Sequence, residues 1–349
     1  MYAHENVYRK AFSAMSNIRD VADAAGVSPA TVSRVLNGKA TSLVSEATRE
    51  RVLDAAQSLG YHPSAAARAL VAGRTDTIAL ATTNIHDPHY ARALDVAQAI
   101  AEEFGYHLLL MPDADDTRLQ SLLRERRADV IVRLRYPVDT ADEVAAAVVS
   151  EEQVVIAVGP IDRQMPLSTP CACWDDREGI RAAVEHLAGL GHRRVAFLAG
   201  RPAQRKERYA LEAAGADMTI VPVCIEPGSL DDVGRGAALA RLALQREPGV
   251  TALLAQNDTF ALGALHALRE DGIAVPGQVS VVGYNDTFLA PYSCPPLTTV
   301  RTPLAECVSR SLRQVMEALS TQHGAVQPQS LQLHTELVVR ASTACPPTT

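Results

Sequence analysis

Residues 20–37 read DVADAAGVSPATVSRVLN, and this stretch decides how the first part of the chain folds. Apolar residues spaced three and four positions apart occur on both sides of Gly26, which predicts two short amphipathic helices. Gly26 suits the reversal between them because a residue without a Cβ tolerates a left-handed backbone. Ser28 offers an N-cap oxygen and Pro29 a preset first-turn φ, so the second helix is predicted to begin there. The stretch therefore predicts a helix-turn-helix.

The outward face of the second predicted helix is small and polar. It carries Ala30, Thr31, Ser33 and Arg34, and hydroxyl groups with one arginine suit contacts to phosphates and guanine in a DNA major groove. The alternative is a small helical hairpin whose polar face is only solvated. Because the capping residues, the glycine and the small polar face agree along the whole stretch, DNA recognition is the favoured interpretation.

The stretch resembles the DNA-binding headpiece of the lactose/galactose repressor family, the LacI family, almost residue for residue. The resemblance implies that Pro29, Ala30 and Arg34 occupy base-reading positions. Since the first two offer no side-chain hydrogen bond, we expect Arg34 to carry the main polar specificity. Phosphates are implied to be anchored by Ser28, Thr31, Ser33 and Asn37.

Two further segments complete the expected DNA-binding part. Ser45 and the apolar positions after it predict a third helix, so residues 17–62 should form a three-helix domain. Residues 63–74, PSAAARALVAGR, form a short Ala-rich helix or a simple linker on composition alone. The resemblance implies a hinge helix that forms when two subunits meet on DNA, with Ala67 and Leu70 at the minor groove.

Length, charge and cysteine spacing limit the class of protein. A chain of 349 residues suggests two or three folded units. The net charge of −7 argues against indiscriminate coating of nucleic acid, yet residues 16–74 hold seven Lys and Arg against five Asp and Glu. Six scattered cysteines lack the paired spacing of a zinc site, so neither metal nor cofactor is expected. Without a signal peptide or membrane span the protein is expected in the cytoplasm, with residues 1–16 a disordered arm.

From Thr77 the pattern changes to short apolar runs that alternate with amphipathic segments. Eight such runs occur, the first TIALATT and the last VSVVGY. Short buried strands with helical crossovers predict parallel sheets covered on both faces, here two α/β lobes with a cleft between them. The helical segments are 91–104, 117–126, 177–190, 232–244 and 260–270.

Later motifs, such as AAVEHLAGLGHRRVAFLAG and PPLTTVRTP, also resemble the LacI family. The resemblance implies the fold of periplasmic sugar-binding proteins, in which the chain crosses between the lobes three times. The implied organisation is a ligand-binding and dimerisation domain at 75–343, with lobe 1 at about 76–174 plus 304–324, lobe 2 at about 175–300 plus 325–343, and a tail at 344–349.

In such sheets a ligand lies beyond the carboxyl ends of the strands. His89 and Tyr90 match the family's cleft-facing pair, although Tyr90 could equally cap the first helix of its lobe. Trp174, the only tryptophan, stands where the family often supplies a stacking ring, and a core position is the equal alternative. Arg208 aligns with the family's effector-clamping arginine, with Arg205 as the competitor.

Two asparagines complete the implied effector site. Asn257 matches a position that commonly bonds the ligand, followed by Asp258 as the helix cap. Asn285 replaces an Asp that accepts hydrogen bonds from sugar hydroxyls, and residues 158–160, Val-Gly-Pro, replace a frequent Asp-Arg. The loss of two ionised acceptors removes charge-assisted hydrogen bonds. The expected effector is carbohydrate-like, while a modified sugar, a nucleoside-like ligand and no effector stay open.

Three functions compete. The favoured one is a dimeric repressor that binds a pseudo-palindromic double-stranded operator and responds to a small molecule between its lobes. The second is a small-molecule-binding protein without DNA regulation, which the helix-turn-helix disfavours. The third is an enzyme, for which His186 and His192 would be candidates. Their spacing does not align them on one helix face, and the common hydrolase motifs are missing, so catalysis is not expected.

Overall fold

The computed structural model describes residues 16–36, 44–62, 69, 73–82, 84–112, 116–134, 154–160, 171–202, 205–225, 228, 230–321 and 331–347. The chain divides into two compact units, Met1–Thr75 and Asp76–Thr349. Residues 1–15 of the expected disordered arm and most of the expected hinge helix lie outside the described residues. So do three expected DNA contacts, Asn37, Ala67 and Leu70.

The described residues of the first unit form three helices, α1 (Ile18–Ala25), α2 (Pro29–Leu36) and α3 (Glu46–Ser58). Gly26 ends α1 in the left-handed conformation, with φ of 65°. The Ser28 hydroxyl accepts a hydrogen bond from the backbone N–H of Thr31 at 3.2 Å and so starts α2. The predicted helix-turn-helix is confirmed. Its core is formed by the buried side chains Val21, Ala22, Ala25, Val32, Val35, Val52, Ala55 and Ala56.

The second unit alternates strands and helices. In chain order these are β1 (Thr77–Thr82), α4 (Ala91–Glu103), β2 (His107–Pro112), α5 (Asp116–Arg124), β3 (Val130–Leu134), β4 (Val154–Pro160), β5 (Cys171–Trp174), α6 (Asp176–Gly189), β6 (Arg194–Ala199), α7 (Arg205–Ala213), β7 (Thr219–Cys224), α8 (Asp232–Arg246), β8 (Ala252–Ala255), α9 (Asp258–Glu270), β9 (Ser280–Asn285), β10 (Thr298–Arg301), α10 (Leu304–Ser320), β11 (Leu331–Leu333) and β12 (Glu336–Val338). Among the described residues, none of the helices has the length and apolar character needed to cross a bilayer.

The first lobe is built on a parallel sheet with the strand order β11-β5-β4-β3-β1-β2. Helices α4 and α10 cover one face, where Ile100 and Leu312 pack against strand residues such as Leu80. Helix α5 covers the other face through Leu119 and Leu122. Strands covered on both faces explain the nearly continuous apolar runs in the sequence.

The second lobe has the strand order β12-β10-β9-β8-β6-β7, parallel except for β12, which is antiparallel to β10. Helices α8 and α9 cover one face, and α6 and α7 cover the other. The predicted pair of α/β lobes with parallel sheets is confirmed.

The lobes are not contiguous in sequence. The chain passes from the first sheet to the second after β5, returns after β10 and passes again after β11. Strand β11 pairs with β5, so the last passage falls between Leu333 and Glu336. This is later than the expected boundary near residue 325. Strands of three residues leave no periodic signal in the sequence, which is why the boundary was misplaced.

Helices α8 and α9 touch through two glycines. A Cβ on Gly236 would lie 2.2 Å from the carbonyl oxygen of Phe260, and one on Gly263 would lie 2.0 Å from the carbonyl oxygen of Val233. Both distances are far shorter than any carbon–oxygen contact. The two backbones therefore approach as closely as they do only because neither position has a side chain.

Candidate functional site

Helix α2 presents a polar face to solvent. Val32 and Val35 are buried beneath it, whereas Arg34 is exposed and makes no hydrogen bond or ion pair with any described residue. The Ser28 and Thr31 hydroxyls lie 2.9 Å apart. This face can donate hydrogen bonds to a polyanion, and Arg34 can place one positive charge beside it. The sequence-predicted contacts within the described residues are exposed or half-buried on α2 or at its N-cap: Ser28, Pro29, Ala30, Thr31, Ser33 and Arg34.

In the second unit, Asp176 lies where the chain first passes between lobes. Its Oδ1 accepts hydrogen bonds from the Tyr284 hydroxyl at 2.6 Å and from the Trp174 Nε1 at 2.9 Å. Its Oδ2 accepts from Arg205 at 2.8 Å. Burial opposes the charge of this carboxyl, but the charges of Lys206 and Arg205 and these hydrogen bonds together hold its pKa below the usual value.

Trp174 is both a core residue and a wall of a small pocket. Its side chain is 3% exposed and packs in the first-lobe core. A core position and a place at the pocket are therefore compatible for Trp174. Tyr90 lines the same pocket and is also the N-cap residue of α4, although its side chain makes no capping hydrogen bond. The residues lining the pocket are His89, Tyr90, Val158, Gly159, Pro160, Trp174 and Leu304.

His89 is uncharged at neutral pH. Burial and the nearby positive charge of Lys206 lower its pKa to about 3. Its ring centroid lies 5.2 Å from that of Tyr90. The first-lobe side of the pocket therefore consists of rings and apolar groups without a formal charge.

Lys206 is a buried cation that the sequence analysis missed. Its side chain is 5% exposed, its Nζ donates to the carbonyl oxygen of Gln256 at 2.9 Å, and it lies 3.6 Å from the centroid of the Tyr284 ring. Burial lowers its pKa to about 8, although the Asp176 charge acts in the opposite direction. Since its charge also acts on Asp87 and His89 of the first lobe, Lys206 lies at the cleft between lobes.

Arg205, rather than Arg208, lies in this group. The side chain of Arg208 is 55% exposed and its Nε lies 3.8 Å from Glu212. The side chain of Arg205 is 17% exposed and pairs with Asp176. Helix α7 begins at Arg205, so Arg208 stands almost one turn further from the end of β6. Arg205, the competitor named from the sequence, therefore lies beside Asp176, whereas Arg208 does not.

Asn257, and not Asp258 as expected, is the cap of α9. Asn257 is the N-cap of α9, because its Oδ1 accepts from the backbone N–H of Phe260 at 2.9 Å. The buried Asp258 instead accepts from the N–H of Thr287 at 2.6 Å and from the hydroxyl of Thr299. Burial raises the pKa of Asp258 to about 7. Asp258 therefore fastens α9 to β10 and to the loop after β9.

Asn285, the last residue of β9, is strained and unsatisfied. Its side chain is 5% exposed, and neither its Oδ1 nor its Nδ2 has a hydrogen-bond partner among the described residues. Its φ is 117°, a conformation rare for a residue with a Cβ. A buried polar group without a partner costs about 1–3 kcal/mol. Strain and missing partners at the carboxyl end of a strand make Asn285 a candidate for ligand binding.

The two histidines considered for catalysis hold the end of the chain instead. His192 is buried, its Nε2 lies 2.9 Å from the carbonyl oxygen of Ala344, and its Nδ1 lies 2.8 Å from the Thr251 hydroxyl. The Nε2 of His186 lies 3.0 Å from the Thr343 hydroxyl. These contacts fasten residues 343–344 to the second lobe.

Comparisons with known proteins agree with both parts of the chain. The family model described as bacterial regulatory proteins, lacI family, matches residues 17–64, and the periplasmic binding protein-like domain matches residues 184–343. The transcriptional regulator DegA of Bacillus subtilis is 33% identical over 341 residues, which cover 94% of this chain and 98% of DegA.

Two solved structures are also similar. The Lac repressor dimer bound to operator and the anti-inducer ONPF has a TM-score of 0.75 and 26% identity, with 95% of this chain and 99% of that chain covered. The complex of the transcriptional regulator CelR with cellobiose has a TM-score of 0.62 and 29% identity, with 94% and 99% covered. The chain belongs to the lacI family of bacterial regulatory proteins, whose members are DNA-binding transcriptional regulators and not enzymes.

Proposed function

We propose that the chain is a repressor that binds a pseudo-palindromic operator as a homodimer and alters its affinity for that operator when a small molecule enters the cleft between its lobes. The observation that carries the proposal is the exposed polar face of α2, with Arg34 free of protein partners among the described residues. An exposed arginine on the second helix of a helix-turn-helix is suited to the two acceptors of a guanine.

The proposed division of the chain follows from this function. Residues 17–62 bind DNA, with Pro29, Ala30 and Arg34 at base edges. Residues 63–74 form a hinge helix, with Ala67 and Leu70 at the minor groove. Residues 75–343 bind the effector and the second subunit. The phosphate contacts are proposed to come from Ser28, Thr31, Ser33 and Asn37.

The effector is proposed to lie at the carboxyl ends of the strands. His89, Tyr90 and Trp174 would contact its apolar face, and Arg205 and Asn285 its polar groups, with Asn257 shaping the rim through the cap of α9. A carbohydrate-like molecule fits a site with ring walls and several hydrogen-bonding side chains. Such an effector acts only if its affinities for the two arrangements of the lobes differ. The protein is proposed to act in the cytoplasm, where it meets its operator.

Selection of genomic fragments by the full-length protein at a stated salt concentration, followed by footprinting, tests the proposal. The expected result is enrichment of a palindromic site whose half-sites are about one or a few helical turns apart. The Arg34→Ala variant, selected in parallel, should lose most of the enrichment. If the wild-type protein enriches no site, with or without added metabolite pools, DNA regulation is overturned and a ligand-binding protein without regulation is left.

A further inference from the structure

The first passage between the lobes is a single residue, Asp175, which lies between the last residue of β5 and the first residue of α6. Trp174 on one side belongs to the sheet of the first lobe, and Asp176 on the other side begins a helix that packs in the second. The backbone of Asp175 has φ of −99° and ψ of 113°, and its Oδ1 accepts from the N–H of Arg177 at 2.8 Å. A change in the angle between the lobes at this passage therefore requires rotation about backbone bonds between Trp174 and Asp176.

A hydrogen bond closes a ring over this passage. The Trp174 Nε1 donates to the Asp176 Oδ1 at 2.9 Å, and the backbone bonds of Asp175 lie inside the ring that this hydrogen bond completes. Rotation of one lobe against the other at Asp175 must lengthen or break the hydrogen bond. Both side chains are buried, so water does not readily replace the lost partner. A hydrogen bond to a buried carboxylate thus holds the passage in the observed conformation.

The Trp174 indole is also a wall of the first-lobe pocket, together with His89 and Tyr90. The ring packs in the core of the first lobe, and its Nε1 reaches the helix that begins the second. A ligand that turns or shifts the ring would change the length of the hydrogen bond across Asp175. One side chain therefore belongs both to the proposed effector pocket and to the connection between the lobes.

The first turn of α6 also touches the other two passages. A Cβ on Gly179 would lie 2.5 Å from Cγ1 of Val300 in β10 and 2.9 Å from Oγ1 of Thr335. The Oε2 of Glu178 lies 2.9 Å from Nδ1 of His334. Val300 precedes the second passage, and His334 and Thr335 form the third. A shift of the first turn of α6 is therefore transmitted to all three passages.

We propose that the hydrogen bond between Trp174 and Asp176 is a latch, which holds the lobes in the observed arrangement and is released when a ligand in the pocket displaces the indole. The inference rests on the proposed function and names the side chain through which the effector site controls the lobes. While the latch is closed, Asp175 is fixed and the first turn of α6 keeps the other passages in place. Its release gives the lobes access to a second arrangement, so the state of the latch and the affinity for the operator are linked.

Hydrogen exchange of the full-length protein tests the latch without a known ligand. The Trp174→Phe substitution keeps an aromatic ring in the core but removes the Nε1 donor. The backbone amides of residues 174–179 and 334–336 should then exchange about tenfold or more faster, because the hydrogen bond that opposes local opening is lost. Ile100→Val is the matched control, since it removes one methyl group from the same core and no hydrogen bond. It should leave exchange at the passages unchanged.

A second measurement uses the wild-type protein. Its only indole N–H belongs to Trp174, so nitrogen-15 labelling of tryptophan gives one indole signal whose exchange rate reports the latch. Because coupling is reciprocal, the operator enriched in the genomic selection should change this rate about fivefold or more, whereas DNA of scrambled sequence should not. For the same reason, Trp174→Phe should change the affinity for the operator by about fivefold or more, and Ile100→Val should not.

The outcomes separate this inference from the proposed function. Passage amides that exchange no faster in Trp174→Phe than in Ile100→Val overturn the latch. An increase that spreads evenly over the first lobe also overturns it, because it shows only a loss of general stability. If Trp174→Phe does not fold, an indole exchange rate that the operator leaves unchanged overturns the latch. If no operator is enriched, the proposed function fails, and exchange at the passages alone decides whether the latch exists.

Discussion

Tyr284 and Trp174 belong to different sheets and donate to the same carboxylate oxygen of Asp176, at 2.6 and 2.9 Å. Asp176 is the first residue of α6, directly after the chain leaves β5. The first passage between lobes is therefore fixed by hydrogen bonds from both sides. A ligand in contact with Trp174 would therefore lie close to the Asp176 carboxylate, which also holds Tyr284 and Arg205.

The Tyr284→Phe substitution tests this connection. It removes one hydrogen bond to a buried, charged carboxylate while keeping the ring, so the free energy of unfolding should fall by about 1.5–3 kcal/mol. Chemical denaturation measures the change. Tyr292→Phe is the control, because that side chain is 86% exposed and its loss of a hydroxyl should change the stability little. Equal effects of the two substitutions would show that the Tyr284 hydroxyl contributes nothing to the lobe connection.

The glycine contact between α8 and α9 gives a second prediction. Gly263→Ala places a methyl group against the carbonyl oxygen of Val233 and should lower the free energy of unfolding by at least about 1–3 kcal/mol. Gly189→Ala, in α6, meets no atom within 4 Å and should be neutral or stabilise by up to about 1 kcal/mol. Thermal unfolding of both variants measures the change in stability. If the Gly263→Ala protein were as stable as the Gly189→Ala protein, the close approach of the α8 and α9 backbones would be contradicted.

Asp258 should make the stability depend on pH. Its pKa is raised from 3.8 to about 7 in the folded chain, chiefly by burial. Between these pH values the folded state binds more protons than the unfolded state. The contribution of Asp258 to the free energy of unfolding therefore falls as the pH rises from about 4 to 7. Asp258→Asn imitates the protonated acid and should gain stability relative to the wild type over that window.

Denaturant unfolding at several pH values measures the difference between Asp258→Asn and the wild type. The exposed Asp217→Asn substitution serves as the control. A difference that stays constant from pH 4 to pH 7, or that moves in favour of the wild type as the pH rises, would rule out a raised pKa at Asp258.

Arg34→Ala should weaken operator binding by about 1–3 kcal/mol and relax the base preference at one position of each half-site. The reason is the loss of a side chain that can donate two hydrogen bonds to one guanine. Binding to a set of operators with single base changes measures both effects. Arg181→Ala removes a 63% exposed arginine from the second unit and should leave the affinity and the preference intact. Unchanged discrimination by the Arg34→Ala protein would exclude base reading by this residue.

Short-range sequence patterns predicted the helix-turn-helix well but could not predict the short strand β11. Gly26 and Ser28 act on their immediate neighbours, so the turn and the start of α2 could be read from a few residues. Strand β11 has only three residues, and its partner β5 lies far away in sequence, so no local pattern could show it. A long helix with one apolar face is visible in a sequence, whereas a short edge strand depends on its neighbours.

In the candidate site, too, contacts between residues far apart in sequence could not be predicted from local patterns. The segment Arg205–Arg208 reads RKER, a pattern typical of a solvated helix face, yet Lys206 and Glu207 are buried. Lys206 is buried against distant parts of the chain, the Gln256 carbonyl 50 positions further on and the ring of Tyr284. Either Asn257 or Asp258 can cap a helix, and only the contacts to Phe260, Thr287 and Thr299 distinguish their roles.

The three passages of the chain between the lobes also determine which lobe can fold first during synthesis. Helix α10 supplies Leu304, Val308, Leu312 and Val315 to the core of the first lobe, and β11 supplies the edge of its sheet. The ribosome makes both only after almost the whole second lobe. The first lobe begins earlier in the sequence, but it stays incomplete until these late elements have been made. The second lobe can therefore bury its core first. We expect chaperones that bind nascent chains to contact the exposed apolar strands of the first lobe until residue 333 has emerged.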